Sequence, residues 1–184
     1  MPWIVIIFYR LLVPLTILRW PLWGSLLAVV ADNVDVIVAD AMGVTDFALY
    51  NPIDKIMDTY MYLLMGVVAW RWKNQFARKL VLGLLAYRMI GVLLYEVLAF
   101  VQPTADFRWL LFVFPNLFVF VFLYVVSFQT FLKRDPFHTW RQAVPALVIL
   151  LIVKLAQEYM LHVAQFPIYD LIKTTIFRPL GIPL

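Results

Sequence analysis

Apolar runs long enough to cross a membrane recur along this chain of 184 residues. Hydrophobic residues make up 65% of the sequence, and charged residues only 14%. A soluble domain of this length has too little interior to bury so much apolar surface. The pattern therefore predicts one all-α domain, a polytopic transmembrane bundle of about six spans. The expected spans cover residues 3–19, 21–43, 52–70, 80–100, 108–131 and 143–165.

The first of these segments is interrupted by Arg10 and Pro14. Residues 3–19 therefore either span the membrane or lie in its interface as an amphipathic helix. We expect the side chain of Arg10 to extend along apolar surface toward a lipid headgroup, as long basic side chains do near membrane interfaces.

Pro115 lies inside the fifth segment. Proline has no backbone N–H and clashes with the preceding turn, so it should kink this helix and free backbone carbonyl groups near Asn116. The surrounding aromatic run, residues 110–126, is expected to face lipid as apolar bulk.

Lysine and arginine are concentrated in the expected loops 71–79 and 133–141. The positive-inside rule places these loops in the cytoplasm. The net charge of +4 is small and reflects this topology, so no nucleic-acid partner is expected. Membrane lipids are the expected partners, and a homo-oligomer or other membrane subunits are considered in addition. The chain has no cysteine, which excludes disulfides and thiolate metal sites.

Aspartates inside the second and third apolar segments indicate a site, because a central aspartate costs about 2.5–3.5 kcal/mol on membrane-insertion scales. Asp32 and Asp35 are three residues apart, and Asp54 and Asp58 four apart, so each pair shares one helix face. The two segments are consecutive and antiparallel, so the four carboxylates should converge. Oxygen ligands in this number suit a divalent cation, either Mg²⁺, Mn²⁺ or Ca²⁺.

Intramembrane acids also have a structural interpretation, in which they pair with basic side chains or cap helix ends. This interpretation is the better one for Asp40, Asp46 and Asp54, because they lie close to a loop. For Asp32, Asp35 and Asp58 together, a functional site is favoured.

Further polar side chains are expected at a similar depth and are assigned to the same pocket. They are Arg88, Glu96, Asn116, Glu158 and His162. Arg88 is expected to need a carboxylate partner. Glu158 and His162 are four residues apart and also form a weak metal-ligand pattern.

The acidic hairpin resembles the signature of the CDP-alcohol phosphatidyltransferases, D-x-x-D-G-x-x-A-R followed after about eight residues by G-x-x-x-D-x-x-x-D. Asp32, Asp35 and Ala39 match the first half. Asp54 and Asp58 match the second half, one residue late. The two family glycines and the arginine are replaced by Val36, Leu49 and Asp40. The resemblance covers about 30 residues and implies that Asp32, Asp35 and Asp54 bind metal, while Asp58 is the catalytic base on an acceptor hydroxyl.

Three functions remain open at this point. The first is a divalent-metal-dependent membrane enzyme that acts on a lipid or a lipid-linked phosphate. The second is an ion- or proton-coupled transporter or channel, because intramembrane acids and histidines serve as relay groups. The third is a non-catalytic subunit of a larger membrane complex, in which the acids pair with cations.

Overall fold

The computed structural model describes residues 2–41, 50–102, 107 and 109–159, and every regular element in this part of the chain is helical. The α-helices are, in chain order, α1 (Pro2–Leu15), α2 (Pro21–Ala41), α3 (Tyr50–Trp70), α4 (Gln75–Val101), α5 (Trp109–Val113), α6 (Leu117–Ser127) and α7 (Trp140–Glu158). A 3₁₀ turn at Thr16–Leu18 follows α1, and a π turn at Phe128–Leu132 follows α6. The all-α prediction is confirmed for these residues.

Two of the helices are long and apolar enough to cross a membrane, judged by length and composition. They are Gln75–Val101, which is α4, and Trp140–Gln157 of α7. Shorter apolar helices cover Ile4–Leu18 and Leu117–Leu132. The helices α2 and α3 have 21 residues each, but they carry the aspartates, which lower their hydropathy. The six-span topology stays a prediction.

Pro115 divides the expected fifth span, as the sequence predicts. Helix α5 ends at Val113, and α6 begins only at Leu117. The carbonyl groups freed by this break are bound by side chains of α4. The Arg88 Nη1 atom donates to the carbonyl oxygen of Phe114 at 2.7 Å, and the hydroxyl of Tyr87 donates to that of Val113. The break is therefore held by two hydrogen bonds from a neighbouring helix, which satisfies backbone groups that proline left open.

Helix α6 forms the centre of the core, which corrects the expectation that the aromatic run faces lipid. Seven of its residues are buried: Leu117, Phe118, Val119, Val121, Phe122, Val125 and Val126. The ring of Trp72, just after α3, stacks on Phe122 at 5.5 Å between centroids. Uniform apolarity is typical of a lipid-facing helix and of a fully enclosed one alike, so composition could not separate the two.

Close helix approach near the break depends on a glycine. A Cβ atom at Gly91 of α4 would lie 2.3 Å from the Cβ of Phe114, well inside van der Waals contact. Glycine therefore lets α4 pass directly against the α5–α6 break.

The two basic loops meet at one end of the bundle. Asn74 caps α4, and its side-chain oxygen accepts hydrogen bonds from the backbone N–H groups of Phe76 at 3.0 Å and Ala77 at 3.1 Å. Its Nδ2 atom also donates to the carbonyl oxygen of Phe137 at 2.7 Å. One side chain thus satisfies orphan donors of a helix start and joins loop 71–79 to loop 133–141.

Candidate functional site

The four aspartates converge, and the group at their centre is the guanidinium of Arg10. Its Nη1 atom lies 2.6 Å from Asp32 Oδ1 and 3.3 Å from Asp54 Oδ1, and it also pairs with Asp35. Its Nη2 atom lies 2.8 Å from Asp58 Oδ1. One side chain of α1 therefore contacts carboxylates from both α2 and α3. The expectation that Arg10 extends to a lipid headgroup is wrong, because the aspartates offer it a fixed counter-charge.

Burial separates Asp35 from the other three aspartates. Asp35 is only 1% exposed and Arg10 only 3%. The side chains of Asp32, Asp54 and Asp58 keep between 23% and 30% of their surface exposed. The cluster therefore has a closed side, where Arg10 and Asp35 meet, and an open side with three carboxylates.

The open side faces a cavity of about 350 Å³. Its polar lining residues are Asp32, Asn33, Asp54, Asp58, Tyr62, Arg88, Asn116, Lys154 and Gln157. A smaller cavity of about 240 Å³ adjoins it and is also lined by Asp54, Asp58, Tyr62 and Arg88. In the larger cavity, the negative charges come from α2 and α3, and the positive charges come from α4 and α7. The cavity therefore presents both charge signs to whatever occupies it.

Arg88 and Lys154 each donate a hydrogen bond to a neutral oxygen. Arg88 uses Nη1 to bind the carbonyl oxygen of Phe114, as described above, and its Nε atom is buried without a hydrogen-bond partner among the described residues. Lys154 is 8% exposed, and its Nζ atom donates to Gln157 Oε1 at 3.1 Å. No ion pair joins Arg88 to a carboxylate within the described ranges, so the carboxylate partner expected for it is not found there.

A chain of hydrogen bonds leads from the α5–α6 break to Asp58. The Asn116 Nδ2 atom donates to the hydroxyl oxygen of Tyr62 at 2.7 Å, and this hydroxyl donates to Asp58 Oδ2 at 3.4 Å. Tyr62 is buried and packs edge-to-face on Phe118 at 6.1 Å between centroids. This packing fixes the ring, and the ring then orients one oxygen of Asp58.

The open side has the donor set of a divalent-cation site. Asp32, Asp54 and Asp58 each offer a carboxylate oxygen, and these oxygens lie within 4.8 Å of one another. Carboxylate oxygens are the ligands that Mg²⁺, Mn²⁺ and Ca²⁺ prefer. The residues fit such an ion chemically. However, Arg10 contacts all three carboxylates, so a cation must share these oxygens with the guanidinium or displace it.

The remaining residues predicted for the site do not all lie at the cavity. Arg88 and Asn116 line the cavity, whereas Glu96 forms a half-exposed ion pair with Lys55 at 2.7 Å. The side chains of Asp40 and Glu158 and the whole of Asp46 and His162 lie outside the described part of the chain.

Sequence reasoning missed Arg10 and Tyr62 as members of the site. A signal for Arg10 was present, since it is the one fixed charge within residues 3–18, and a buried arginine needs a carboxylate. Tyr62 stands four residues after Asp58 and therefore on the same helix face. Lys154, which also lines the cavity, was not among the residues predicted for the pocket.

Comparison of the chain with models of known protein families, with curated protein sequences and with solved structures gives no match.

Proposed function

We propose that this chain is an integral membrane protein whose cavity binds a divalent cation together with a phosphate-bearing lipid, and that it transfers the lipid or its phosphate. The resemblance of the acidic hairpin to the CDP-alcohol phosphatidyltransferases points in the same direction.

The membrane part of this proposal is supported by exposed apolar surface on the two longest apolar helices. Phe100 of α4 is 88% exposed, and large apolar side chains are exposed along both helices, including Leu93, Val97, Ile149 and Ile152. A soluble protein rarely exposes a continuous apolar surface of this extent. Lipid is the solvent that such surfaces suit, and it would also accommodate the six expected spans.

The functional part is supported by the presence of both acidic and basic side chains in the lining of one cavity. Asp32, Asp54 and Asp58 supply hard oxygen ligands on one side, while Arg88 and Lys154 supply cations on the other helices. A phosphate bound to a divalent cation needs both kinds of group, because the metal and the basic side chains share its negative charge.

The residues then take distinct roles. Asp32 and Asp54 hold the cation, Arg88 and Lys154 bind the phosphate oxygens, and Asp58 accepts the proton of an attacking hydroxyl. Tyr62 and Asn116 orient Asp58 through the hydrogen bonds described above. The bound cation would neutralise phosphate charge while the acceptor oxygen bonds to phosphorus, the bond from phosphorus to the leaving oxygen breaks, and the leaving group departs with that electron pair.

Manganese binding tests the cation site directly. Purified protein in detergent is titrated with Mn²⁺ and followed by electron paramagnetic resonance. We expect saturable binding in the wild type and at least a tenfold loss in Asp32→Asn, with no change in the control Glu96→Gln, whose carboxylate is outside the cavity. Absence of saturable binding in the wild type would remove the metal-dependent function.

A short-chain phosphatidic acid then tests the phosphate site. The affinity of the protein for this lipid in the presence of Mn²⁺ should fall in Lys154→Gln and remain unchanged in Lys73→Gln, because Lys73 is exposed and lines neither cavity of the site. Equal affinities of the two variants for phosphatidic acid would contradict a phosphate site at Lys154.

A second function is favoured by the position of Arg10. A guanidinium in contact with all four carboxylates already supplies part of the charge that a metal would supply. We therefore propose, as the alternative, a non-catalytic membrane subunit in which this ion cluster joins α1, α2 and α3. It predicts that Mn²⁺ binds neither the wild type nor any cluster variant, and that Arg10 substitutions act on stability alone.

A further inference from the structure

A separate cavity of about 380 Å³ lies where α4 and α7 begin. We name it the α4–α7 groove. It is lined by Phe76, Lys79, Leu80, Gly83, Leu84 and Trp140. The rings of Phe76 and Trp140 meet edge-to-face at 5.3 Å between centroids. Apart from Lys79, every side chain in this lining is apolar, and none of them belongs to the aspartate site.

The groove is kept open by the absence of a side chain at Gly83. A Cβ atom built there meets nothing within 4 Å, so glycine is not required by contact with another part of the protein. The lining residues of α4 recur at three- and four-residue steps and form one stripe. From Phe76 to Leu84, this stripe extends for about 12 Å at the helical rise per residue. An extended hydrocarbon chain fits such a channel.

Lys79 is the charged residue of the groove lining, and the groove lies at the end of the bundle where the two basic loops meet. The two loops that Asn74 joins at this end carry six further cations: Arg71, Lys73, Arg78, Lys133, Arg134 and Arg141. Asp135 is the one acid within loops 71–79 and 133–141, and it accepts a hydrogen bond from Gln129 at 2.7 Å. A ligand in the groove therefore meets Lys79 beside an apolar stripe, while the other cations give this end of the bundle a general positive charge.

We propose that the α4–α7 groove binds an anionic phospholipid, with one acyl chain along the stripe and the phosphate group at Lys79. The apolar stripe alone cannot select a lipid, because lipid tails find an equally apolar environment in the bilayer. Selection must come from the headgroup, and basic pockets between membrane helices at the cytoplasmic side favour anionic headgroups. The inference rests on the membrane placement proposed above and is independent of the aspartates.

Native mass spectrometry of the full chain tests this site. Protein in detergent is mixed with equal amounts of phosphatidylglycerol and phosphatidylcholine that have identical acyl chains, and bound lipids are counted. We expect the wild type to retain phosphatidylglycerol in preference to phosphatidylcholine. Lys79→Gln should lower this preference about fivefold, the effect of one basic group near a membrane surface. Lys73→Gln, the matched control at the same end, should change this preference by less than about twofold, because Lys73 is exposed and outside the lining, and salt screens a charge that does not contact the headgroup.

Gly83→Leu tests the channel itself. Leucine has a higher helix propensity than glycine, and its side chain enters open space, so we expect a folded protein that retains neither lipid at the groove. Retention of phosphatidylglycerol at the wild-type level by a folded Gly83→Leu protein overturns the proposal, as do equal losses in Lys79→Gln and Lys73→Gln. Recovery of the wild type in the soluble fraction of the cell would instead overturn the membrane placement.

Discussion

Arg10 and Asp35, which are 25 residues apart in the chain, form a buried ion pair between α1 and α2. Breaking a buried pair leaves one charge without its partner in a medium of low polarity, which costs about 3–5 kcal/mol. We therefore expect Arg10→Met to lower the melting temperature strongly in detergent. Lys55→Gln, which breaks the half-exposed pair with Glu96, should cost no more than about 1 kcal/mol. Similar melting temperatures for the two variants would show that Arg10 is not the main charge partner of the cluster.

Arg10 and a divalent cation compete for the same carboxylate oxygens. In Arg10→Met, the three open carboxylates lose their guanidinium contacts, so Mn²⁺ should bind at least tenfold more tightly than in the wild type. Arg10→Lys keeps the charge and should bind Mn²⁺ less tightly than Arg10→Met. Because a ligand of the folded state stabilises that state, Mn²⁺ should also raise the melting temperature of Arg10→Met more than that of the wild type. Unchanged Mn²⁺ affinity in Arg10→Met would contradict this competition.

The hydroxyl of Tyr62 connects Asn116 to Asp58. Tyr62→Phe removes it and leaves the amide of Asn116 and one carboxylate oxygen with an unmade hydrogen bond, which costs about 1–3 kcal/mol when the groups are buried. Tyr60→Phe is the control, since its hydroxyl donates to the carbonyl oxygen of Leu11 at an exposed site. Thermal melting of both variants measures the difference. Equal shifts would mean that the Tyr62 bonds are no stronger than a surface contact.

Two glycines of α4 form a matched pair for a steric test. Gly91→Ala places a Cβ atom 2.3 Å from Phe114, whereas Gly83→Ala places one in open space. We expect Gly91→Ala to destabilise the protein by about 1–3 kcal/mol through overpacking. Gly83→Ala should be neutral or stabilising by up to about 1 kcal/mol, because alanine has the higher helix propensity. The opposite order in thermal melting would contradict the close contact between α4 and the break.

The absence of cysteine makes the chain suitable for labelling topology. Single cysteines at Lys73 and Arg134 should be inaccessible to a membrane-impermeant maleimide in intact cells and react only after permeabilisation, since both lie in loops assigned to the cytoplasm. A cysteine at Gln102, just beyond the other end of α4, should react in intact cells. The reverse pattern would invert the orientation, and uniform labelling would argue against a membrane span in α4.

The convergence of the aspartates was predictable from the sequence, because three- and four-residue spacings fix a helix face. The central position of Arg10 was not. Spacing within α1 says nothing about how that helix is rotated relative to α2 and α3, and only tertiary packing decides this. The same reason explains Glu96, which has the expected position along α4 but pairs with Lys55 outside the larger cavity.

The helical segments could likewise be predicted from the lengths of the apolar runs, and the break at Pro115 from the chemistry of proline. The burial of α6 could not be predicted. Phe118 and Phe122 are as suitable for contact with lipid as for contact with Trp72. A helix without an amphipathic pattern does not indicate whether protein or lipid surrounds it. Contacts decide which apolar helix is enclosed.

The order of the chain has a consequence for biosynthesis. Arg10 precedes all four aspartates, so a ribosome completes the positive partner before it makes the first negative one. Under the membrane placement proposed above, each carboxylate of α2 and then of α3 would leave the translocation channel after the cation of Arg10. Reversing this order by circular permutation would expose the uncompensated acids to the insertion machinery first, and the yield of inserted protein should fall even though the finished contacts are the same.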